Sequence, residues 1–322
     1  MLAHSKLLNT MQNLNNLITR AEGLINKLEL LLPSAQPTVD WTATAWRWVM
    51  VNNKGYLQAI AHPHQIQLAN IHFVDAQKAE IVRNTRQFLA GFSANNVLLT
   101  GARGTGKSSL IKALLTEFSS QGLRLIEIEK QDLIHLADVV QQLRERPEKF
   151  IIFCDDLTFE ANDDGYKALK VVLDGSIANT SDNVLVYATS NRKHLIPEMM
   201  SDNLATQHGL NASGRHEIRP SDTVEEKTSL SERFGLWLSF YSFDQDEYLQ
   251  IAANWLKTFD LDFDESARKA ALDFSLTRGA RSGRIAYQFA RDYSGKVGLA
   301  LQLDQSNLQQ INQSESVLSD SK

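Results

Sequence analysis

The sequence predicts an α/β fold in which helices cover both faces of a parallel sheet. Short apolar runs, typical of buried strands, alternate along the chain with helical patterns. A glycine-rich loop joins one of these runs directly to an amphipathic helix. Residues 244–293 contain no clear strand pattern and predict a small helical unit after the sheet.

Five apolar stretches are the strand candidates, and helical patterns separate most of them. The stretches are 97–100, 123–129, 150–154, 184–188 and 236–241. Because strands that alternate with helices form parallel sheets with both faces covered, a five-stranded parallel sheet between helices is expected.

The two ends of the chain differ from this central region. Residues 1–32 carry apolar side chains mostly three and four positions apart, which predicts an amphipathic helix that Pro33 ends. We favour packing of this helix on the same chain over binding to a partner. The last stretch is rich in Gln, Ser and Asn and predicts a disordered tail. The expected units are an N-terminal helical segment with its linker (1–40), an α/β domain (41–243), a helical lid (244–300) and the tail (301–322).

Three tryptophans lie close together after the linker. They are Trp41, Trp46 and Trp48, and Arg47 stands between the last two. Such rings could stack on nucleic-acid bases. More often a cluster of this kind attaches an extended segment to a hydrophobic core, and that is our prediction here.

The composition limits the classes of protein to which the chain can belong. A net charge of −5 over 322 residues gives no general argument for a nucleic-acid partner, although it leaves a local basic patch open. The single cysteine, Cys154, excludes an intrachain disulfide and fits a reducing compartment. No apolar run reaches the roughly 20 residues that span a bilayer, and the N-terminus is too polar for a secretory signal. A soluble, cytoplasmic protein without a membrane span is expected.

The stretch GARGTGKS, Gly101–Ser108, matches the phosphate-binding pattern G-x-x-x-x-G-K-[ST] at every fixed position. Backbone N–H groups of such a loop surround phosphates, and the helix that follows adds the positive end of its dipole. Lys107 would reach the β- and γ-phosphates of ATP, and Ser108 would ligate Mg²⁺. The predicted nucleotide-binding residues are Gly101, Ala102, Arg103, Gly104, Thr105, Gly106, Lys107, Ser108 and Ser109.

A second predicted strand ends in two adjacent acids that fit this loop. In FIIFCDDLTFE, residues 150–160, the apolar run is followed by Asp155 and Asp156. A phosphate loop needs a carboxylate on another strand to hold Mg²⁺ from the other side, and this is the role predicted for Asp155. Asp156 is placed to polarise the attacking water as a general base.

Taken in order, these motifs resemble those of the AAA+ ATPases. Over about residues 45–295 the chain also resembles a bacterial family of predicted ATPases that is known only as a domain of unknown function. The stretches that carry the resemblance are NTRQFLAGFSANNVLLTGARGTGKSSLIKALL, FIIFCDDLTFE, VLVYATSNRKHLIPE, SLSERFGLWLSFYSFDQDEYLQI and RGARSGRIAYQFARD. The resemblance implies a P-loop domain of the AAA+ type, a C-terminal helical lid, and use of ATP.

The resemblance also implies roles for individual residues. Asn191, at the end of YATSN, resembles the sensor-1 residue that contacts the γ-phosphate or the attacking water. Arg233, in SERFG, resembles the arginine finger that a subunit places at its neighbour's nucleotide, and it therefore implies self-association. Many related ATPases carry Glu where this chain has Asp156, which is one methylene shorter, so slow hydrolysis is expected.

The sequence leaves open which of two arginines resembles a third functional residue of the AAA+ ATPases. In GARSGRIAYQFARD, Arg284 begins an apolar-periodic helix and resembles sensor 2, which the lid presents to the phosphates. Arg281 also fits the pattern, and we favour Arg284. Together with Arg278 they could instead form a nucleic-acid patch, an alternative that the net charge does not support.

Two features of the sequence bear on the biological role. Residues 129–150 lack the aromatic–aliphatic–glycine tripeptide with which unfoldases thread a polypeptide, so threading is not expected. Paired aspartates occur in the initiator and helicase-loader group, but no helix-turn-helix follows the lid. The expected function is ATP hydrolysis coupled to remodelling or loading of an unknown protein partner. The alternatives are an ATP-dependent switch with little turnover, a DNA-associated loader and a small-molecule P-loop kinase.

Overall fold

The computed structural model describes most of the central part of the chain. The described residues are 17–18, 20–23, 38–52, 54–159, 163–174, 182–192, 207–210, 216–219 and 232–319. The predicted N-terminal segment lies largely outside these ranges, and its described residues before 38 are helical.

Strands and helices alternate through the central region. In the described part of the chain the strands are β1 (Ala45–Val51), β2 (Lys54–Ala59), β3 (Val97–Gly101), β4 (Leu123–Ile128), β5 (Lys149–Cys154), β6 (Val184–Ser190), β7 (Gln207–Leu210), β8 (His216–Arg219) and β9 (Leu236–Phe240). The helices are α1 (Asp75–Leu89), α2 (Lys107–Phe118), α3 (Leu136–Leu143), α4 (Asp164–Asp174), α5 (Gln245–Lys257), α6 (Glu265–Arg278) and α7 (Gly283–Ser319). Short 3₁₀ turns lie at Leu68–Asn70, Ser119–Gln121 and Lys130–His135.

The central sheet has the strand order β2-β1-β4-β5-β6-β3-β9, and β7 pairs with β8 in a separate ribbon. All neighbours in the central sheet run parallel except β2, which is antiparallel to β1. The five predicted strands form the contiguous part from β4 to β9, so the predicted α/β fold class is confirmed. This order places the carboxyl ends of β5, β6 and β3 side by side at one edge of the sheet, where α/β proteins bind their ligands.

The sheet has seven strands instead of the five that we predicted, because the hairpin of β1 and β2 extends it beyond β4. The sequence of β2, KGYLQA, has no clear alternation. The strand is held by a tertiary contact, since Gly55 lies directly against the indole of Trp48. A Cβ atom at Gly55 would stand only 1.8 Å from Trp48 Cζ2.

The tryptophan cluster is part of the core, as predicted. The rings of Trp46 and Trp48 are 1% and 3% exposed, and the Trp46 ring lies 6.3 Å from that of Phe150. Arg47 points away from them and pairs with Glu127 at 2.9 Å. The alternative of a base-stacking surface at these two tryptophans is therefore wrong, because their faces are buried.

Helices cover both faces of the sheet, and each face has its own apolar core. Side chains of α3 and α4, such as Leu136 and Leu169, belong to one core. Side chains of α1 and α2, such as Ile81 and Leu114, belong to the other. The two layers of helix hold the strands in place from both sides, so the edge that carries the loops is rigidly supported.

The predicted helical lid consists of α5, α6 and the first part of α7, which share a third core. Asp244 starts α5 with a capping box, in which its side chain accepts from Glu247 N and the Glu247 side chain accepts from Asp244 N. Tyr248 is fully buried in this core, and its hydroxyl donates to Ala271 O at 3.0 Å. These contacts make the lid a packed unit of its own.

The expected disordered tail is not what the structure contains, since α7 continues as a helix to Ser319. The reason is local: after Gly298 the described helix contains neither glycine nor proline, and Leu and Gln are good helix formers. Leu299, Leu301 and Leu303 are all more than half exposed on it.

Among the described residues, no helix combines the length and the apolar character needed to cross a bilayer.

Candidate nucleotide site

The phosphate-binding pattern forms the turn between β3 and α2. Gly101, Gly104 and Gly106 have positive φ angles of +124°, +75° and +96°, a region that residues with a Cβ atom rarely enter. Space is also restricted, because a Cβ atom at Gly101 would stand 1.9 Å from Phe240 O. The loop can therefore curl tightly around a small anion at the N-terminus of α2, as the motif predicts.

Lys107 begins α2 and is 5% exposed. Its Nζ donates to Gly101 O at 2.8 Å, to Ala102 O at 2.7 Å and to Asn191 Oδ1 at 3.1 Å. Burial lowers the pKa of Lys107, and the carboxylates of Asp156 and Asp155 act in the opposite direction. The ammonium group is thus held at the mouth of the loop, facing both acids and the end of β6.

Asp155 follows the last residue of β5 and accepts two hydroxyl hydrogen bonds. Ser108 Oγ and Thr189 Oγ1 each donate to its Oδ1 at 2.6 Å. The predicted metal ligands Ser108 and Asp155 therefore lie side by side, the first in the first turn of α2 and the second after β5. A hydroxyl and a carboxylate are hard oxygen donors, which fit the octahedral preference of Mg²⁺ together with phosphate oxygens.

Asp156 has an unusual backbone conformation, with a φ of +52°. Its N–H donates to Thr189 Oγ1 at 2.9 Å, and its Oδ1 accepts from Asn191 Nδ2 at 2.6 Å. Asp and Asn tolerate this left-handed conformation better than longer side chains do. The backbone thus supplies a physical reason for the shorter acid at this position.

Asn191 connects the loop to the acids. Its Oδ1 accepts from Lys107 Nζ while its Nδ2 donates to Asp156 Oδ1. Hydrogen bonds that involve polar side chains at this edge of the sheet join one continuous set of residues, which we call the six-residue network. Its members are Lys107, Ser108, Asp155, Asp156, Thr189 and Asn191.

The lid meets the phosphate loop at Gly104. Gly283 N donates to Gly104 O at 2.9 Å, and a Cβ atom at Gly104 would stand 2.7 Å from Ser282 Oγ and 3.6 Å from Arg284 Cβ. Arg281 instead donates to Gln245 Oε1 at 3.2 Å. Of the two arginines for which the sequence left the role open, Arg284 is the one whose Cβ lies against the loop.

Arg233 and Arg278 lie outside the six-residue network. The guanidinium of Arg233 donates from Nε to Asp174 Oδ1, at the end of α4. Arg278 lies over the ring of Phe274, 5.3 Å from its centroid, on the lid. Of the remaining predicted loop residues, Arg103 is exposed, Thr105 Oγ1 donates to Ala102 O at 2.9 Å, and Ser109 lies in the first turn of α2.

Sequence reasoning missed three residues of this region. Thr189 contacts both acids, Ser282 packs on Gly104, and the side chain of Ile71 lies 3.3 Å from the Cβ position of Gly106. Thr189 could have been found, because it is a hydroxyl residue at the end of a buried strand, two positions before Asn191. Nothing in the local sequence of Ile71 or Ser282 indicates a contact with the loop.

The chain belongs to the family described as "Protein of unknown function (DUF815)", which it matches over residues 41–297. This confirms the predicted resemblance to a bacterial family known only as a domain of unknown function. The matched range contains the sheet, the six-residue network and the lid. No curated protein matches the chain.

Among solved structures, the chain is similar to the RuvB Holliday junction branch migration motor of Thermotoga maritima. The identity is 17% and the TM-score 0.44, over 70% of this chain and 63% of RuvB. It is also similar to the replication initiator DnaA bound to AMPPCP and single-stranded DNA, with 16% identity and a TM-score of 0.44 over 71% of this chain and 64% of that one. The chain thus spans less than two thirds of either structure, and similarity at this level carries no argument about what it binds or does.

Proposed function

We propose that the chain is a Mg²⁺-dependent ATPase of the AAA+ type, which hydrolyses ATP to ADP and phosphate in the cytoplasm. The six-residue network is the observation that carries this proposal. It gathers a phosphate loop, a metal-holding acid, a second acid and a polar amide from the ends of β3, β5 and β6 within hydrogen-bond distance. These are the parts that phosphoryl transfer to water requires.

Every residue of the network except Thr189 has a direct chemical task in this proposal. Lys107 contacts the β- and γ-phosphates, and Ser108 with Asp155 would hold Mg²⁺, which neutralises charge on the phosphate oxygens. Asp156 accepts a proton from the attacking water, and Asn191 orients that water or the γ-phosphate. Because the backbone at Asp156 favours the shorter acid, its carboxylate reaches less far toward the water, so we expect slow turnover.

Arg233 supports the part of the proposal that concerns self-association. Its side chain is 24% exposed and pairs with Asp174, outside the network of its own chain. An arginine finger acts on the nucleotide of a neighbouring subunit, where it stabilises the charge of the transition state. We therefore propose that subunits assemble and that assembly raises the rate. In this proposal, ATP hydrolysis is coupled to remodelling or loading of a protein partner. The second candidate function is a nucleotide-dependent switch with little turnover, because Asp156 favours slow hydrolysis.

Steady-state phosphate release over a range of protein concentrations tests the proposal. The wild type should hydrolyse ATP with a specific activity that rises with concentration. Lys107→Ala should reduce kcat/KM by at least about a hundredfold, since it removes a charge from the phosphates. Arg233→Ala should bind ATP normally and lose the concentration dependence. Wild-type rates equal to those of Lys107→Ala at every concentration would contradict ATP hydrolysis, and normal nucleotide binding in that case would favour the switch.

A further inference from the structure

Thr189 contacts three consecutive residues of the turn that carries both acids. Its Oγ1 lies 2.6 Å from Asp155 Oδ1 and 2.9 Å from Asp156 N, and its carbonyl oxygen accepts from Leu157 N at 2.7 Å. Thr189 lies near the carboxyl end of β6 and is 2% exposed. Its side chain is therefore committed to this turn and does not face solvent.

The direction of these hydrogen bonds follows from the atoms. The N–H of Asp156 can only donate, so Thr189 Oγ1 accepts that bond with a lone pair. Its single hydroxyl hydrogen is then directed to Asp155 Oδ1. Because Ser108 Oγ donates to the same oxygen, Asp155 Oδ1 receives two donors, and Oδ2 is the oxygen left for other ligands.

The same hydroxyl also supports the left-handed backbone of Asp156. A φ of +52° is unfavourable for a residue with a Cβ atom and needs support from its surroundings. The bonds from Asp156 N and Leu157 N to Thr189 provide it from the neighbouring strand. The Thr189 hydroxyl thus orients Asp155 and binds Asp156 N, while the Thr189 carbonyl oxygen binds Leu157 N.

We propose that Thr189 is a positioning residue of the nucleotide site, which sets the metal-holding acid and the water-activating acid in one fixed arrangement. This inference rests on the proposed function. Thr189 does not itself touch the reacting atoms in this proposal. Groups that orient metal ligands in this way typically contribute about 10- to 100-fold to metal affinity or activity.

The neighbouring Ser190 offers a matched control. It is also a fully buried hydroxyl on β6, and its Oγ donates to Leu157 O at 2.7 Å without contacting either acid. Loss of this hydroxyl should lower stability as much as loss of the Thr189 hydroxyl does. A purely structural role of Thr189 would make the two losses equivalent in every assay.

The experiment compares the full-length wild type with Thr189→Val, Thr189→Ser and Ser190→Ala. Binding of a fluorescent, non-hydrolysable ATP analogue is titrated with Mg²⁺ and repeated in EDTA, and kcat and Tm are measured. Thr189→Val should raise the half-maximal Mg²⁺ concentration and lower kcat, each by about tenfold or more, and bind the analogue normally in EDTA. Thr189→Ser should recover both values, and Ser190→Ala should lower only the Tm.

Three results would overturn the inference. The first is that Thr189→Val has the same half-maximal Mg²⁺ concentration and kcat as the wild type. The second is that Ser190→Ala shifts these two values as much as Thr189→Val does. The third is that Thr189→Ser folds but is as impaired as Thr189→Val. If the wild type binds the analogue but releases no phosphate, the proposed hydrolysis fails while the Mg²⁺ titration still decides the role of Thr189. Absence of analogue binding by the wild type would contradict both proposals.

Discussion

The two sides of the candidate site are built very differently. On the sheet side, hydrogen bonds of 2.6–3.1 Å join the six-residue network across the ends of three strands. On the lid side, the described residues meet the loop through the Gly283 N to Gly104 O bond of 2.9 Å and the packing of Ser282. The lid has its own core, so its position depends on few contacts with the loop.

This difference predicts that the two sides of the site affect different steps. The groups proposed to carry out the chemistry lie on the sheet side, where two packed cores support the strands. On the lid side, the Cβ of Arg284 lies 3.6 Å from the Cβ position of Gly104, outside the six-residue network. We therefore expect substitutions on the sheet side to act on turnover and those on the lid side to act on nucleotide affinity.

The largest expected effect is that of Asp156→Asn. Asn keeps the oxygen that accepts from Asn191 Nδ2 and tolerates the left-handed backbone, but it cannot take a proton. The kcat should fall by about a hundredfold, while the Kd for ATP stays close to that of the wild type. Stopped turnover with retained nucleotide also makes this variant suitable for co-purification of an ATP-dependent partner, compared with Lys107→Ala.

Asp164→Asn serves as the control for Asp156→Asn, because the Asp164 side chain is 78% exposed at the start of α4. It should leave both kcat and Kd unchanged. A parallel loss of ATP binding and turnover in Asp156→Asn would mean that Asp156 supports the structure of the site and has no separate role in catalysis.

A smaller effect should separate Gly104 from another glycine of the same conformation. Gly122 has a φ of +93° and open space around its Cβ position, so Gly122→Ala should cost only backbone strain, about 1 kcal/mol of unfolding free energy. Gly104→Ala adds an overlap with Ser282 and should cost about 2–3 kcal/mol. Chemical denaturation measures both values. An equal loss of unfolding free energy in the two variants would show that Ser282 moves away from the added methyl group without cost.

The last comparison concerns the two lid arginines. Arg284→Ala should weaken ATP binding by about tenfold, which corresponds to about 1.4 kcal/mol, because it removes a cationic side chain whose Cβ lies against the phosphate loop. Arg281→Ala should bind ATP like the wild type, since Arg281 pairs with Gln245 on the lid. Fluorescence titration with an ATP analogue compares the two, and the opposite ranking would assign the sensor role to Arg281.

Much of the fold could be predicted because its signals are local. Each core strand is an apolar run, and the phosphate loop is a contiguous motif, so the positions of Lys107 and Asp155 followed from the sequence. The strand β2 could not be predicted, because it depends on the fit of Gly55 against Trp48. The helical end of α7 was mistaken for a disordered tail, because a polar composition was given more weight than the absence of helix breakers.

The α/β class, the phosphate loop and the two acids could be recognised without coordinates, because periodicity, glycine spacing and adjacent residues are properties of a continuous stretch. How these parts meet could be learned only from the folded chain. Thr189 joins Asp155 to Asp156, the Cβ of Arg284 lies against the loop while Arg281 donates to Gln245, and Arg233 pairs with Asp174. These relations depend on strand order and on the placement of the lid, which bring together side chains that lie far apart along the chain.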